Sequence, residues 1–210
     1  MKKVIFTILL VAILALSLTA CDVNSGNSGS GDGVYAELNE MVAMDYPIVK
    51  LQVETTSNGI TLVNKYSATT SSASTTIRYT VQSLNNITVN EDGSYNIPDK
   101  MIEEKTGSAI VENGKITVLD GDDANISVEA LDDIKIKFDK DYFTSIETAE
   151  QDGINTFSAI VSDIKGFTGN NSFDGKDMTI QVSYTTALKA ITINYTMNSG
   201  ATVKVIYSFS

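Results

Sequence analysis

The sequence predicts a mainly β domain of the α+β kind, built on one large, curved antiparallel sheet. Three observations carry that prediction. Apolar and polar residues alternate with a period of two through one meander near residues 48–82 and another near 178–209. Turn residues, Asn58-Gly59, Asn113-Gly114 and Asn198-Ser199-Gly200, fall between such runs. Only residues 34–44 repeat their apolar positions clearly at three- and four-residue spacing. Antiparallel order with so few helices argues against a parallel α/β fold.

The chain opens with the plan of a secretory signal. Lys2 and Lys3 precede an apolar run, Val4 to Leu16, and small residues precede Cys21, the only cysteine. The run is shorter than the roughly 20 apolar residues of a membrane span. Leu18-Thr19-Ala20-Cys21 resembles the lipobox of bacterial lipoproteins. That resemblance implies a diacylglycerol on the Cys21 thiol, cleavage before it, and a lipid-anchored protein on the extracytoplasmic side of the cell membrane. Two or more acyl chains anchor stably, at about 0.8 kcal/mol per buried methylene. The other reading is an ordinary signal or uncleaved anchor with an incidental cysteine. Asp22 resembles the inner-membrane retention signal of enterobacterial lipoproteins, and would carry no such meaning in a Gram-positive organism. Residues 21–33 are rich in Gly, Ser and Asn, a flexible tether with a reach of about 20 Å. Residues 34–210 then form a single antiparallel β domain, large enough for a substantial core.

Within that domain, Val34, Leu38, Met41 and Val42 make one apolar helical stripe, limited by Pro47. Val49, Leu51 and Val53 alternate with polar residues, as do Ile77, Tyr79 and Val81. A strand from Ile60 to Thr69 lies between them, with Ile60, Leu62 and Tyr66 on one face. In the middle, Glu91-Asp92-Gly93 reads as a turn, and Pro98 to Lys105 as a short helix ended by Gly107. Short strands are expected at 109–111, 115–119, 126–129 and 134–138, then a helical turn within 139–149 and a strand at 157–161. The last meander has strands beginning near Met178, Ile191 and Val203, rich in Thr, Tyr, Ile and Val.

Composition excludes several activities. Losing residues 1–20 removes two lysines and no acid, so 13 basic side chains face 26 acidic ones, a net charge of −13. Such a surface repels phosphate backbones, so no nucleic-acid partner is expected. There is no histidine, and acylation would remove the sole thiol. No cofactor and no catalytic residue is expected, and the chain reads as a monomer that is not an enzyme. Asp120, Asp122 and Asp123 offer oxygen ligands suited to Ca²⁺, but Ala124 and Asn125 break the calcium-loop pattern, which favours a solvated acidic turn. Carboxylate pairs of glycosidase type would need a sugar platform, and tryptophan is absent. Gly166-Phe167-Thr168-Gly169 lacks phosphate-loop spacing and reads as a turn, or a loop tip used for contacts. The candidate binding surface is one sheet face carrying Val49, Leu51, Val53, Ile77, Tyr79, Val81, Tyr184, Ile193, Tyr195 and Tyr207. It would serve as a plain core or line an apolar ligand cavity.

The order of elements, with stretches such as DYPIVKLQVETT, GFTGNNSFDGKDMTIQVSY and ITINYTMNSGATVKVIYSFS, is similar to LolA/LppX-like half-barrel proteins, notably small clostridial-type surface lipoproteins. The resemblance implies a half-barrel whose concave face is covered by helices and holds a lipid or other hydrophobic ligand. LolA carriers are soluble and periplasmic. A tethered chain departs from that and points to a fixed receptor or a handing-on role. The competing expectation is a cell-surface module that recognises protein or peptide, with a filled core and no cavity.

Overall fold

A computed structural model of the chain describes residues 32–85, 88–89, 91, 94–96, 98–112, 115–121 and 136–210. The expected signal, Cys21 and nearly all of the tether lie outside the described residues, as do Asn113-Gly114, Asp122, Asp123 and the strand expected at 126–129.

Helix α1 (Asp32–Val42) forms where the helical spacing predicts it, and buries Tyr35, Leu38 and Met41. Strands β1 (Ile48–Ser57), β2 (Ile60–Thr70) and β3 (Thr75–Leu84) follow as an antiparallel meander. Asn58 and Gly59 between β1 and β2 both have positive φ, 52° and 78°, as a two-residue hairpin turn requires. A small ladder of β4 (Thr88–Val89) and β5 (Tyr95–Asn96) stands apart from the main sheet. Strands β6 (Ile102–Glu112) and β7 (Lys115–Gly121) pair with Glu112 opposite Lys115, the register an Asn-Gly turn would set. One turn of 3₁₀ helix (Lys140–Tyr142) leads into β8 (Phe143–Gln151) and β9 (Ile154–Val161). Helix α2 (Ile164–Thr168) precedes the final meander of β10 (Lys176–Tyr184), β11 (Leu188–Thr196) and β12 (Thr202–Phe209).

Ten of these strands make one antiparallel sheet in the order β7-β6-β3-β2-β1-β12-β11-β10-β9-β8. The two meanders meet in the middle, where β1 pairs with β12 and Ile48 and Ser210 exchange both backbone hydrogen bonds at 3.0 Å. At about 4.8 Å per strand, a flat sheet of this order would be about 43 Å wide, whereas an 11-residue helix is only about 17 Å long. Yet one continuous core runs from Val111 in β6 to Phe143 in β8, with α1 inside it. Accumulated strand twist has to bend the sheet around the helix to allow this. The face toward α1 is called inner below, and the other outer.

Several sequence expectations are corrected. Residues 102–105 are strand, not helix: Glu103, Glu104 and Lys105 pair with Ser83, Gln82 and Val81. The ladder to β3 outweighs the local helix preference of that stretch. Gly107 therefore ends nothing. It lies directly opposite Tyr79, and a Cβ there would collide with the Tyr79 side chain and the Asp120 carbonyl. The region 139–149 holds the expected turn but is mostly β8, which bulges at Ser145 and Ile146 with Ser145 at φ 50°. Asp152-Gly153, unremarked in the sequence, turns β8 into β9 with φ values of 53° and 75°. Of the strand expected at 134–138, residues 136–138 are described and are not strand. Ile60, at the hairpin end of β2, lies in phase with Leu62 and Tyr66 as expected, but is 36% exposed there.

Candidate functional site

All ten residues named as a binding surface lie on the inner face. The registers place Leu51 between Tyr66 and Tyr207, Val53 opposite Val205, Tyr66 opposite Tyr79, and Ile193 between Ile180 and Val205. Val49, Leu51, Val53, Ile77, Tyr79, Tyr184, Ile193, Tyr195 and Tyr207 are buried, and Val81 is half-buried at the margin. The face also includes Met178, Ile180, Val182, Leu188 and Ile191, buried on β10 and β11. Asn64 is one of its buried polar members, with Thr55 and Thr75. Asn64 Oδ1 accepts from the Gln82 backbone N–H at 2.6 Å, while Gln82 Oε1 accepts from Val63 N–H at 2.8 Å, so side chains extend the β2–β3 ladder.

Against this surface packs a plug that sequence reasoning missed. Phe138, Phe143, Phe157 and Phe167 join Tyr35 of α1 in one aromatic cluster. Phe143 meets Phe167 at 5.5 Å and Phe157 at 5.6 Å edge to face, and stacks on Tyr35 at 6.0 Å. Phe167 is fully buried, so the Gly166–Gly169 stretch is not an exposed tip. Asp163 caps α2 by accepting from Gly166 N–H at 3.0 Å, and Gly169 ends it in the left-handed region at φ 64°. These phenylalanines are scattered along the chain without a common period, so no local signal joins them.

Two polar clamps hold the helix down. Asn39 Nδ2 donates to the Phe138 carbonyl at 2.7 Å, and Phe138 N–H donates back to Asn39 Oδ1 at 2.9 Å. Tyr46, just beyond α1, donates to the Met41 carbonyl and accepts from Leu188 N–H, both at 2.9 Å.

Burial sets the chemistry of the inner tyrosines. It raises the hydroxyls of Tyr66 and Tyr207 well above the ordinary value of 10.0. Tyr195 is pushed up to about 12, first by burial and then by the charge of Asp174. Tyr184 is raised by burial and by Glu37. All are therefore neutral hydrogen-bonding groups at physiological pH.

Among the described residues, concavities open to solvent include one on each side of the sheet. One, of about 350 Å³, lies where the start of α1 meets β8, β9 and β10, lined by Val34, Glu37, Thr148, Glu150, Asn155 and Tyr184 among others. It places Tyr184 at a mouth of the inner face, with two carboxylates beside it. The other, of about 360 Å³, is on the outer face over β1, β2, β3 and β12. Asp120 is exposed in β7 opposite Ser108, and its neighbours Asp122 and Asp123 lie outside the described residues. Among the described residues no three acidic, histidine or cysteine side chains come together as a metal site, and no helix is long and apolar enough to cross a membrane.

No protein-family model matches the chain, and no curated protein does. Among solved structures, the chain is similar to a LolA superfamily protein from Nitrosomonas europaea, at 7% identity and a TM-score of 0.28, covering 86% of this chain and 92% of that one. It is also similar to a DUF1329 family protein from Desulfovibrio piger, at 7% identity and a TM-score of 0.25, covering 84% and 90%.

Proposed function

We propose that the protein is a non-enzymatic binding lipoprotein, held on the extracytoplasmic side of a cell membrane through an acylated Cys21, whose inner sheet face receives a lipid or other hydrophobic ligand. The observation that supports the ligand best is the inner face itself. It is an apolar surface drawn from both meanders, and one 11-residue helix with its aromatic plug covers it. Lifting α1 would free the core surface that Tyr35, Leu38 and Met41 now cover without breaking a strand ladder. The cleft at Tyr184 is where such opening would begin.

A second reading is favoured by the packing of that plug. With Tyr35, Phe138 and Phe143 seated on the inner face, the domain has a filled core, and recognition of a protein or peptide would pass to its outside.

Native mass spectrometry and lipid extraction of the purified protein test the first reading. A co-purifying lipid is the expected result. A pair of cysteines locking α1 to β11 should then abolish lipid uptake when oxidised and restore it when reduced. A protein that carries no lipid and takes up none with α1 free favours the second reading. Metabolic labelling with a fatty-acid analogue tests the anchor separately, and label retained after Cys21→Ala would refute it.

A further inference from the structure

The outer-face concavity collects positive charge on a chain whose formal net charge is −11. Lys50 of β1, Lys65 of β2 and Arg78 of β3, the only arginine in the chain, all line it. The ladders fix their spacing. Lys50 is opposite Ser67, and Ser67 is opposite Arg78. Lys50 and Arg78 therefore stand about 10 Å apart across β2, with Lys65 two residues along the strand between them, about 8 Å from each. Side chains of this length can converge on one small ligand.

Among the described residues, no acidic side chain lines the groove and none of the three cations has an ion-pair partner. Two carboxylates on the same face, Glu54 and Glu104, are engaged by glutamines. Gln52 donates to Glu54 at 2.7 Å, and Gln82 to Glu104 at 3.2 Å. Lys204, next to Glu54 in the ladder, adds further positive charge at that border, and Asp120 lies beyond Ser108 on the other side. Unpaired cations on an acidic chain are not needed for solubility, and leaving three adjacent ones unneutralised costs repulsion. Hydroxyls of Ser67, Thr80 and Ser208 line the same groove and add neutral donors.

We propose that this groove is a binding site for a phosphate-bearing anion. A tetrahedral oxyanion offers acceptors in several directions, which suits three cations and hydroxyl donors arriving from different strands better than a planar carboxylate would. Arg78 supplies the fork, and the two lysines supply point charges. The site uses neither the inner face nor Cys21, so it stands whether or not the domain carries a lipid. The phosphate could be that of a soluble molecule or of a lipid headgroup within the tether's reach.

The test is calorimetric titration of the purified full chain, in neutral detergent at low salt, with inorganic pyrophosphate. Saturable binding is expected, weakening as salt rises. Arg78→Ala, and separately the pair Lys50→Ala and Lys65→Ala, should each weaken it about tenfold or more, the value of one charge-assisted hydrogen bond. Arg78→Lys should recover part of the loss. These side chains are solvent-facing, and circular dichroism checks that each variant is folded. Competition by vesicles containing phosphatidylglycerol, but not by neutral vesicles, would assign the phosphate to a headgroup. Pyrophosphate binding that such vesicles leave untouched would assign it to a soluble ligand. Binding to neither probe, or binding that the variants do not change, would overturn the proposal.

Discussion

Asn39 and Phe138, 99 residues apart, hold each other by a reciprocal pair of hydrogen bonds: the amide of one satisfies both backbone groups of the other. Phe138 belongs to no strand, so its N–H and C=O have no ladder to enter. Asn39 replaces that ladder and fixes both the helix and the phenylalanine ring over the sheet. Asn39→Ala should lower stability by about 2–3 kcal/mol, because it strands two partly buried backbone groups as well as deleting two bonds. Urea unfolding followed by circular dichroism measures this. A loss under half a kcal/mol would mean that water replaces the amide freely.

The aromatic plug should behave as core. Phe157→Ala removes a fully buried ring that meets Tyr35, Phe138 and Phe143, and the expected loss is about 3–5 kcal/mol. Ile154→Ala, at a position 43% exposed, should change stability by no more than about 0.5 kcal/mol. Equal losses in the two variants would contradict the packing described.

Gly107 and Tyr79 form a matched pair, the ring of one occupying the space a side chain would need on the other. Gly107→Ala should cost about 1–3 kcal/mol by overpacking. In a Tyr79→Leu background, where the ring is gone, the same change should cost less, with the crowding against the Asp120 carbonyl remaining. A double-mutant cycle compares the two, and additive losses would show that the ring does not occupy that space.

Alkali should unfold the protein through its tyrosines. A hydroxyl whose pKa is raised by folding keeps its proton longer in the native state than in the unfolded one. The stability this represents is complete below the unfolded value of 10.0 and is lost as pH climbs toward the folded value, about 12 for Tyr195. Each such group contributes a slope of up to about 1.4 kcal/mol per pH unit in that window. Tyr66 and Tyr207 share the direction. With no tryptophan present, phenolate absorbance follows the titration directly. It should rise together with loss of β-sheet signal above pH 10, and fully reversible ionisation of every tyrosine with the sheet intact would refute the burial of these hydroxyls.

The sequence made the two meanders readable because alternation reports directly which side chains face the core. Ile77, Tyr184 and Ile193 could be assigned to one face without any knowledge of which strands pair. What fills that face was not readable, since Phe138, Phe143 and Phe167 come from a loop, a strand start and a short helix that only tertiary structure unites. Residues 102–105 misled for the opposite reason: Ile102-Glu103-Glu104-Lys105 suits a helix locally, and only the ladder to β3 makes it a strand. The outer-face cations were readable in principle. A two-residue turn at Asn58-Gly59 sets Ser57 opposite Ile60, and counting back from it puts Lys50 opposite Ser67. Arg78 then depends on the four residues between β2 and β3, a longer turn whose register alternation alone leaves open.

The pairing of β1 with β12 has a consequence for the timing of assembly. The middle of the sheet joins residues 160 positions apart, Val49 with Phe209. A ribosome adding about 5–20 residues per second finishes β1 many seconds before β12 exists. During that interval β1 can pair only with β2, and its other edge stays open to other chains. Closure by so distant a partner is entropically slow even once synthesis ends. Delayed closure is compatible with the export we propose, because β12, the partner that joins the two meanders, is made long after β1.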